Sequence, residues 1–305
     1  MSKTLNLVQL IFVIIILVLI IIPVITSTQL SPVVNSEGDL LRNLSISLSH
    51  PLGTDDYGED IFHKICIAIF NNIKYALVAL LSFLGIGIPL GVSLGFKERS
   101  THFVYIRYFF QKKRYSILFF KSMQNMAAII VYVLQSIPII VAITIIVIMN
   151  QLNISQPGFR IYADMLFLGI FLSPKIAVAL ADRIEVLRTE EYLQAAKGLG
   201  ISRFRLLTRH ILWMESRGTI TLQSMNLLIQ AVMVEILLSY FQFGPEGISL
   251  GNMIYNDINI LTRIFSSSGL INQLDLYQAM ASFCLLLMFS ISMRWLGLKA
   301  IELSE

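Results

Sequence analysis

Side chains able to do chemistry are scarce in this 305-residue chain, where 14% of residues are charged and 56% hydrophobic. The four histidines, His50, His63, His102 and His210, show no HExxH pairing, and no apolar run carries paired aspartates. Neither a metal-dependent hydrolase nor an intramembrane protease is supported by that set, and no nucleophile elbow is expected. There is no GxxxxGK[ST] phosphate loop, so energy from ATP would have to come from another chain. Cys66 and Cys284 lie far apart in apolar surroundings and read as buried free thiols rather than a disulfide or metal site. No catalytic, cofactor-binding or metal-binding residue is expected. What remains is a small set of polar groups in costly places. Lys175 and Glu235 each sit in an apolar run, where an ionisable group marks a gate or pathway by default. Against that stand two plainer readings: Lys175 snorkels to the membrane surface, and Glu235 accepts hydrogen bonds between helices.

The elements that must carry these groups are membrane helices. Mean hydropathy is +0.74, and six apolar runs are long enough, or nearly so, for the roughly 20 residues a spanning helix needs. They cover residues 5–25, 75–96, 122–149, 161–181, 218–243 and 276–293. The expected fold is all-α and polytopic, with six transmembrane helices. Residues 1–36 are expected to hold a retained anchor, 37–66 an extracytoplasmic loop, and 67–305 the core, with a polar loop at 188–215. In the second run Gly85, Gly87, Gly91 and Gly95 include small residues four apart, which suit close helix packing in lipid. Pro138 falls inside the third run, and residues 244–275 are expected to form an external loop.

Lys and Arg side chains set the orientation. The loop at 97–121 carries seven (Lys97, Arg99, Arg107, Lys112, Lys113, Arg114 and Lys121), and the loop around 182–217 carries seven more (Arg183, Arg188, Lys197, Arg203, Arg205, Arg209 and Arg217). Against these fourteen, the outer loops are counted with four: Arg42, Lys64, Arg160 and Arg263. The excess places both basic loops and both termini in the cytoplasm. Aromatic residues interleave the first basic loop, but in this chain it reads as a lipid-facing segment rather than a nucleic-acid site.

Two polar segments carry the most information. Residues 190–213 read EEYLQAAKGLGISRFRLLTRHILW, in which Tyr192, Ala195, Ala196 and Leu199 form one helical stripe. Gly200 suits a helix end, Ser202 a new cap, and Phe204, Leu207 and Ile211 a second apolar face beside Arg205 and Arg209. Periodicity alone fits an amphipathic interfacial hairpin. Residues 50–60 read HPLGTDDYGED, a turn-rich stretch or a weak calcium loop, of which the turn fits better.

The order of residues goes further. Gln194-Ala195-Ala196, then Gly200, then Arg209-His210-Ile211-Leu212 resembles the EAA loop of bacterial ABC-importer permeases. Gln194 stands where that family usually has Glu, and Trp213 where it usually has Pro. Residues 50–60 resemble the HPLGTDxxGRD signature of the C-type permeases for dipeptides, oligopeptides and nickel, with Glu59 in place of Arg. Glu235, Ser239, Gly244, Gly251, Asn252 and Met253 match that family's E..LSFLGLG….WGNM stretch, with Leu250 in place of Trp. The resemblance implies a type I ABC importer permease fold in the bacterial inner membrane. It implies coupling to ATPase subunits through Glu191, Gln194, Ala195, Ala196, Gly200, Arg205, Arg209 and Ile211. It also implies four partners besides lipid: a homologous permease, two ATP-binding subunits and an extracytoplasmic binding protein. The basic 97–121 insertion departs from the family. A secondary transporter or a non-transporting membrane subunit are the competing readings.

Overall fold

The computed structural model describes residue 14 and residues 32–34, 39–42, 44–55, 57–95, 114–152, 157–187, 206–266 and 273–302. The expected anchor at 5–25 apart from residue 14, most of the basic insertion and residues 188–205 of the polar loop lie outside them. The described residues are helical apart from loops and two isolated bridges, Val34 to Leu40 and Thr54 to Asp60. Among the described residues seven α-helices follow in order: α1 Ile61–Gly95, α2 Arg114–Ser136, α3 Ile139–Gln151, α4 Pro157–Leu187, α5 Arg217–Tyr240, α6 Leu250–Ser266 and α7 Gln273–Glu302. A π-helix, Leu206–Glu215, precedes α5.

Four of these helices are long and apolar enough to cross a membrane, in α1, α4, α5 and α7. α2 and α3 form a fifth, broken candidate, bent by 87°. The third expected span is therefore two helices. Its break falls at Pro138, which cannot donate to the preceding turn; its carbonyl instead accepts from Val141 N–H at 2.9 Å and opens α3. Pro174, in contrast, lies within α4 without ending it. The described residues thus supply an all-helical multi-pass membrane protein with four or five spans.

By internal contacts the chain divides into two compact units. The first comprises Met1–Leu77, Val147–Ala163 and Leu228–Trp295. Its core joins Ile61, Ile65, Cys66, Ala68 and Ile69 of α1 to Val232 of α5, Leu250 and Met253 of α6, and Phe289 of α7; Cys66 is buried as expected, whereas Cys284 of α7 is exposed. The second comprises Val78–Ile146, Asp164–Leu227 and Leu296–Glu305.

In the second unit α1 and α4 approach through glycine. A Cβ on Gly91 would stand 2.8 Å from the Ala177 carbonyl oxygen and 3.0 Å from Leu180 Cβ. Gly87 faces Ile176 and Ser173, and Gly95 faces Ile184, so these three sites form one contact strip. Gly85 lies off it, with nothing within 4 Å. From α4, Gly169 returns the contact against Ala79 and Ser82, and Ser82 Oγ donates to the Leu166 carbonyl at 3.0 Å. In lipid, where burial of apolar surface gives little drive, this close approach supplies the packing. Residues 91–95 also spell GxSxG, but they are helical, and Ser93 Oγ donates back to the Pro89 carbonyl at 2.8 Å. No strand-to-helix elbow exists there.

Gly91→Ala is expected to destabilise the full chain by about 1–3 kcal/mol, the usual cost of overpacking. Gly85→Ala should be neutral or stabilising by up to about 1 kcal/mol, since alanine is the better helix former. Unfolding in detergent monitored by circular dichroism separates the two; equal effects would rule out the close contact.

Candidate functional site

The first unit contains a buried polar network built on the start of α6. The first N–H groups of a helix have no partner within it. Here each is met from a different source. Ser249 is the N-cap, and its Oγ accepts from Asn252 N–H at 3.1 Å. Leu250 N–H donates to Asn72 Oδ1 of α1 at 3.1 Å. Gly251 N–H donates to Glu235 Oε2 of α5 at 3.1 Å. The same Glu235 oxygen accepts from Asn72 Nδ2 at 2.8 Å, and Oε1 accepts from Ser239 Oγ at 3.0 Å. Three helices thus meet on one carboxylate that is 1% exposed. An anionic group at a helix N-terminus is also favoured by the helix dipole.

The surrounding motif residues close this clasp. A Cβ on Gly251 would stand 2.7 Å from Glu235 Oε1, and one on Gly244 would strike Ser239 Oγ. Asn252 Nδ2 donates to the carbonyls of Pro245 and Gly247 at 2.8 and 2.7 Å. Asn71 Nδ2 reaches the Ile248 carbonyl at 2.8 Å, and Arg160 reaches that of Gly244 at 3.2 Å. α5 itself ends in a Schellman turn, with Phe243 N–H on the Leu238 carbonyl and Gln242 N–H on that of Ser239. Gln242 holds the left-handed position (φ 65°) that glycine normally takes, steadied by its Nε2 on Tyr255 OH at 3.0 Å.

A second platform caps the start of α1. Asp60 is its N-cap: Oδ1 accepts from His63 N–H at 3.0 Å, and Oδ2 pairs with His50 Nδ1 at 2.6 Å. Asp55 Oδ1 accepts from the N–H groups of Tyr57 and Glu59, while Oδ2 holds Lys64 Nζ at 2.8 Å. Thr54 Oγ1 bridges the backbone, donating to the Leu41 carbonyl and accepting from Leu44 N–H. Gly53 and Gly58 are both left-handed (φ 77°), as such turns require. Glu59, the departure from the family signature, forms an ion pair with Lys64 at 2.9 Å. These carboxylates are spent on backbone N–H groups and on side-chain cations, which is the behaviour of a turn.

In the second unit the described end of the polar loop is the π-helix. Ile211 is buried against Leu180, Ile184 and Leu187 of α4, with Leu207 and Leu212 beside it. Arg183 of α4 holds the other end, with Nη2 at 3.5 Å from Glu215 Oε2. Arg209 is exposed on the same stretch, and Trp213 is 72% exposed. Glu191, Gln194, Ala195, Ala196, Gly200 and Arg205 lie outside the described residues. Lys175 is exposed on α4. Among the expected site residues that are described, only Arg209 and Ile211 share an element. Sequence reasoning missed the partner residues Asn72 and Ser249. Asn72 carried a signal as an amide beside an apolar run, and Ser249 as a capping residue before a periodic stretch.

Glu235→Ala is expected to cost about 3 kcal/mol or more, because each stranded buried donor costs about 1–3 kcal/mol. Pairing it with Asn72→Ala in a double-mutant cycle should give a coupling of about 0.5–3 kcal/mol. Additive losses would mean that the two residues act separately.

No protein-family model matches the chain. Over 208 residues, 68% of its length, it is 24% identical to the dipeptide transport system permease protein DppC of Lactococcus lactis subsp. cremoris strain MG1363. Over 216 residues, 70% of its length, it is 26% identical to the oligopeptide transport system permease protein OppC of Lactococcus lactis subsp. cremoris strain SK11. The matched stretches make up 52% and 64% of those two relatives, so the chain spans about half to two-thirds of their length. These similarities support its placement in the ABC peptide-permease family.

Proposed function

We propose that the chain is a transmembrane permease subunit of an ATP-driven importer for peptides or related small solutes. In this reading a homologous permease completes the pathway, two ATP-binding subunits dock below, and an extracytoplasmic binding protein delivers the solute. Both termini and the two basic loops face the cytoplasm. The observation that carries the reading is the π-helix, buried through Ile211 on α4 while Arg209 and Trp213 point away from that contact. A segment packed on a spanning helix by one face and exposed on the other transmits force from a docked partner into the membrane.

The coupling segment is then Glu191 to Ile211, and includes Glu191, Gln194, Ala195, Ala196 and Gly200. Arg205 and Arg209 offer positive charge to an acidic groove on the ATPase. Lys175 is the candidate gate residue. Glu235, spent on the start of α6, acts by holding the surrounding loop in shape, which deepens its candidacy as a pathway residue into a positioning role.

Gentle-detergent affinity isolation of the full chain from its native membrane, with mass spectrometry of the co-isolated proteins, tests the partner set. A second permease and one or two ATPases are expected. Recovery of the chain alone, under conditions that keep a known ABC complex intact, would favour a secondary transporter or a non-transporting subunit. Gly200→Trp should reduce uptake about 2- to 30-fold, the span for mutations that alter coupling by about 0.5–2 kcal/mol, with assembly retained.

A further inference from the structure

Leu250, Met253 and Ile254 form the buried stripe of α6 at positions i, i+3 and i+4, and the next position of that stripe, i+7, is Asp257. An apolar residue is expected there. Asp257 is fully buried, and neither carboxylate oxygen has a partner in hydrogen-bond geometry. Ser282 of α7 and the charge of Lys64 on α1 both act on it, and Lys64 lies on the turn of α1 whose Ile61 and Ile65 share a core cluster with Leu250 and Met253 of α6. The Lys64 ammonium is already held by Asp55 at 2.8 Å and Glu59 at 2.9 Å in the loop that caps α1. Lys64 is therefore paired with two carboxylates of the loop while its charge also acts on a third carboxyl group, on the neighbouring α6. Of its two present partners, Asp55 is buried and also holds two backbone N–H groups, whereas Glu59 is the more exposed.

We propose that Asp257 is a proton-operated latch for the 50–60 loop: neutral, it leaves Lys64 to the loop; ionised, it draws Lys64 away from Glu59. The proton leaves Asp257 for water, Lys64 remains an ammonium throughout, and the Glu59 carboxylate turns into solvent. An unpaired carboxylate in a buried site is costly, and the nearest cation is the available remedy. Glu59 is the partner released because it has the least burial to lose.

The pH window follows from the site. Burial pushes the Asp257 carboxyl up to about 6, with Ser282 and the Lys64 charge opposing the rise. The folded chain thus binds this proton more tightly than the unfolded chain does. Stability carried by the proton is complete at low pH and is lost as pH rises from the ordinary aspartate value through about 6. The inference concerns the chain's own loop and does not depend on which solute is moved.

Hydrogen exchange of the full chain in lipid nanodiscs, corrected for the intrinsic pH dependence of exchange, tests it. Protection of residues 55–64 in the wild type should fall between pH 5 and 7.5 with a midpoint near 6. Asp257→Asn should hold protection high across the range, and its melting-temperature advantage over wild type should be larger at pH 7.5 than at pH 5. Glu59→Gln, which removes one competitor for Lys64, should move the midpoint down. A flat wild-type profile overturns the latch, as does the same loss in Asp257→Asn. Should that variant fail to fold, an unmoved midpoint in Glu59→Gln overturns it equally.

Discussion

A carboxylate removed from water must find donors, and in this chain the donors found by Glu235 come from three places at once. Asn72 on α1, Ser239 one turn along α5, and the backbone of Gly251 at the start of α6 converge on it. Each partner has its own need for the arrangement. Asn72 returns its carbonyl to Leu250 N–H, and α6 gains partners for N–H groups that no helix satisfies internally. Breaking any one contact strands others, so the elements of the first unit are fixed by a polar condition as much as by apolar packing. The glycines at 244 and 251 follow from this, since a side chain at either would occupy the space of Ser239 or Glu235.

The second unit answers to a different constraint. There the small residues of α1 let α4 come close, and the π-helix continues the contact onto the end of α4 through Ile211. One unit is held by a satisfied charge, the other by backbone proximity. In the proposed permease, the first suits a loop that must keep its shape. The second suits a segment that receives a push and passes it to a spanning helix.

Much of this was legible in the sequence, though rarely as what it turned out to be. Gly87, Gly91 and Gly95 announced a close helix contact by spacing alone, and the contact is there; Gly85 shared the composition but not the face. The match at 235–253 located the clasp residues without revealing that they bind one another, because a pattern along a chain does not state which groups meet in space. α1 starts at Ile61, well before the expected residue 75, because Lys64, Asn71, Asn72 and Lys74 look like loop residues. Each is consumed locally: Lys64 by the loop acids, the two asparagines by the 248–250 backbone and Glu235, and Lys74 over the Phe70 ring. α6 falls in the stretch expected as an external loop, because its polar residues hide a short buried stripe too weakly apolar to suggest a span. The Pro138 break was visible as a proline, but the 87° turn it accompanies depends on packing that no local rule encodes.

The central claim is that this chain moves solute only when a separate ATPase drives it. Peptide uptake by proteoliposomes tests that most directly, comparing the chain alone with the complex isolated from its native membrane. The proposed permease role predicts uptake by the complex that requires ATP on the side of the basic loops, and none by the chain alone under any ion gradient. Gradient-driven uptake by the isolated chain would contradict it.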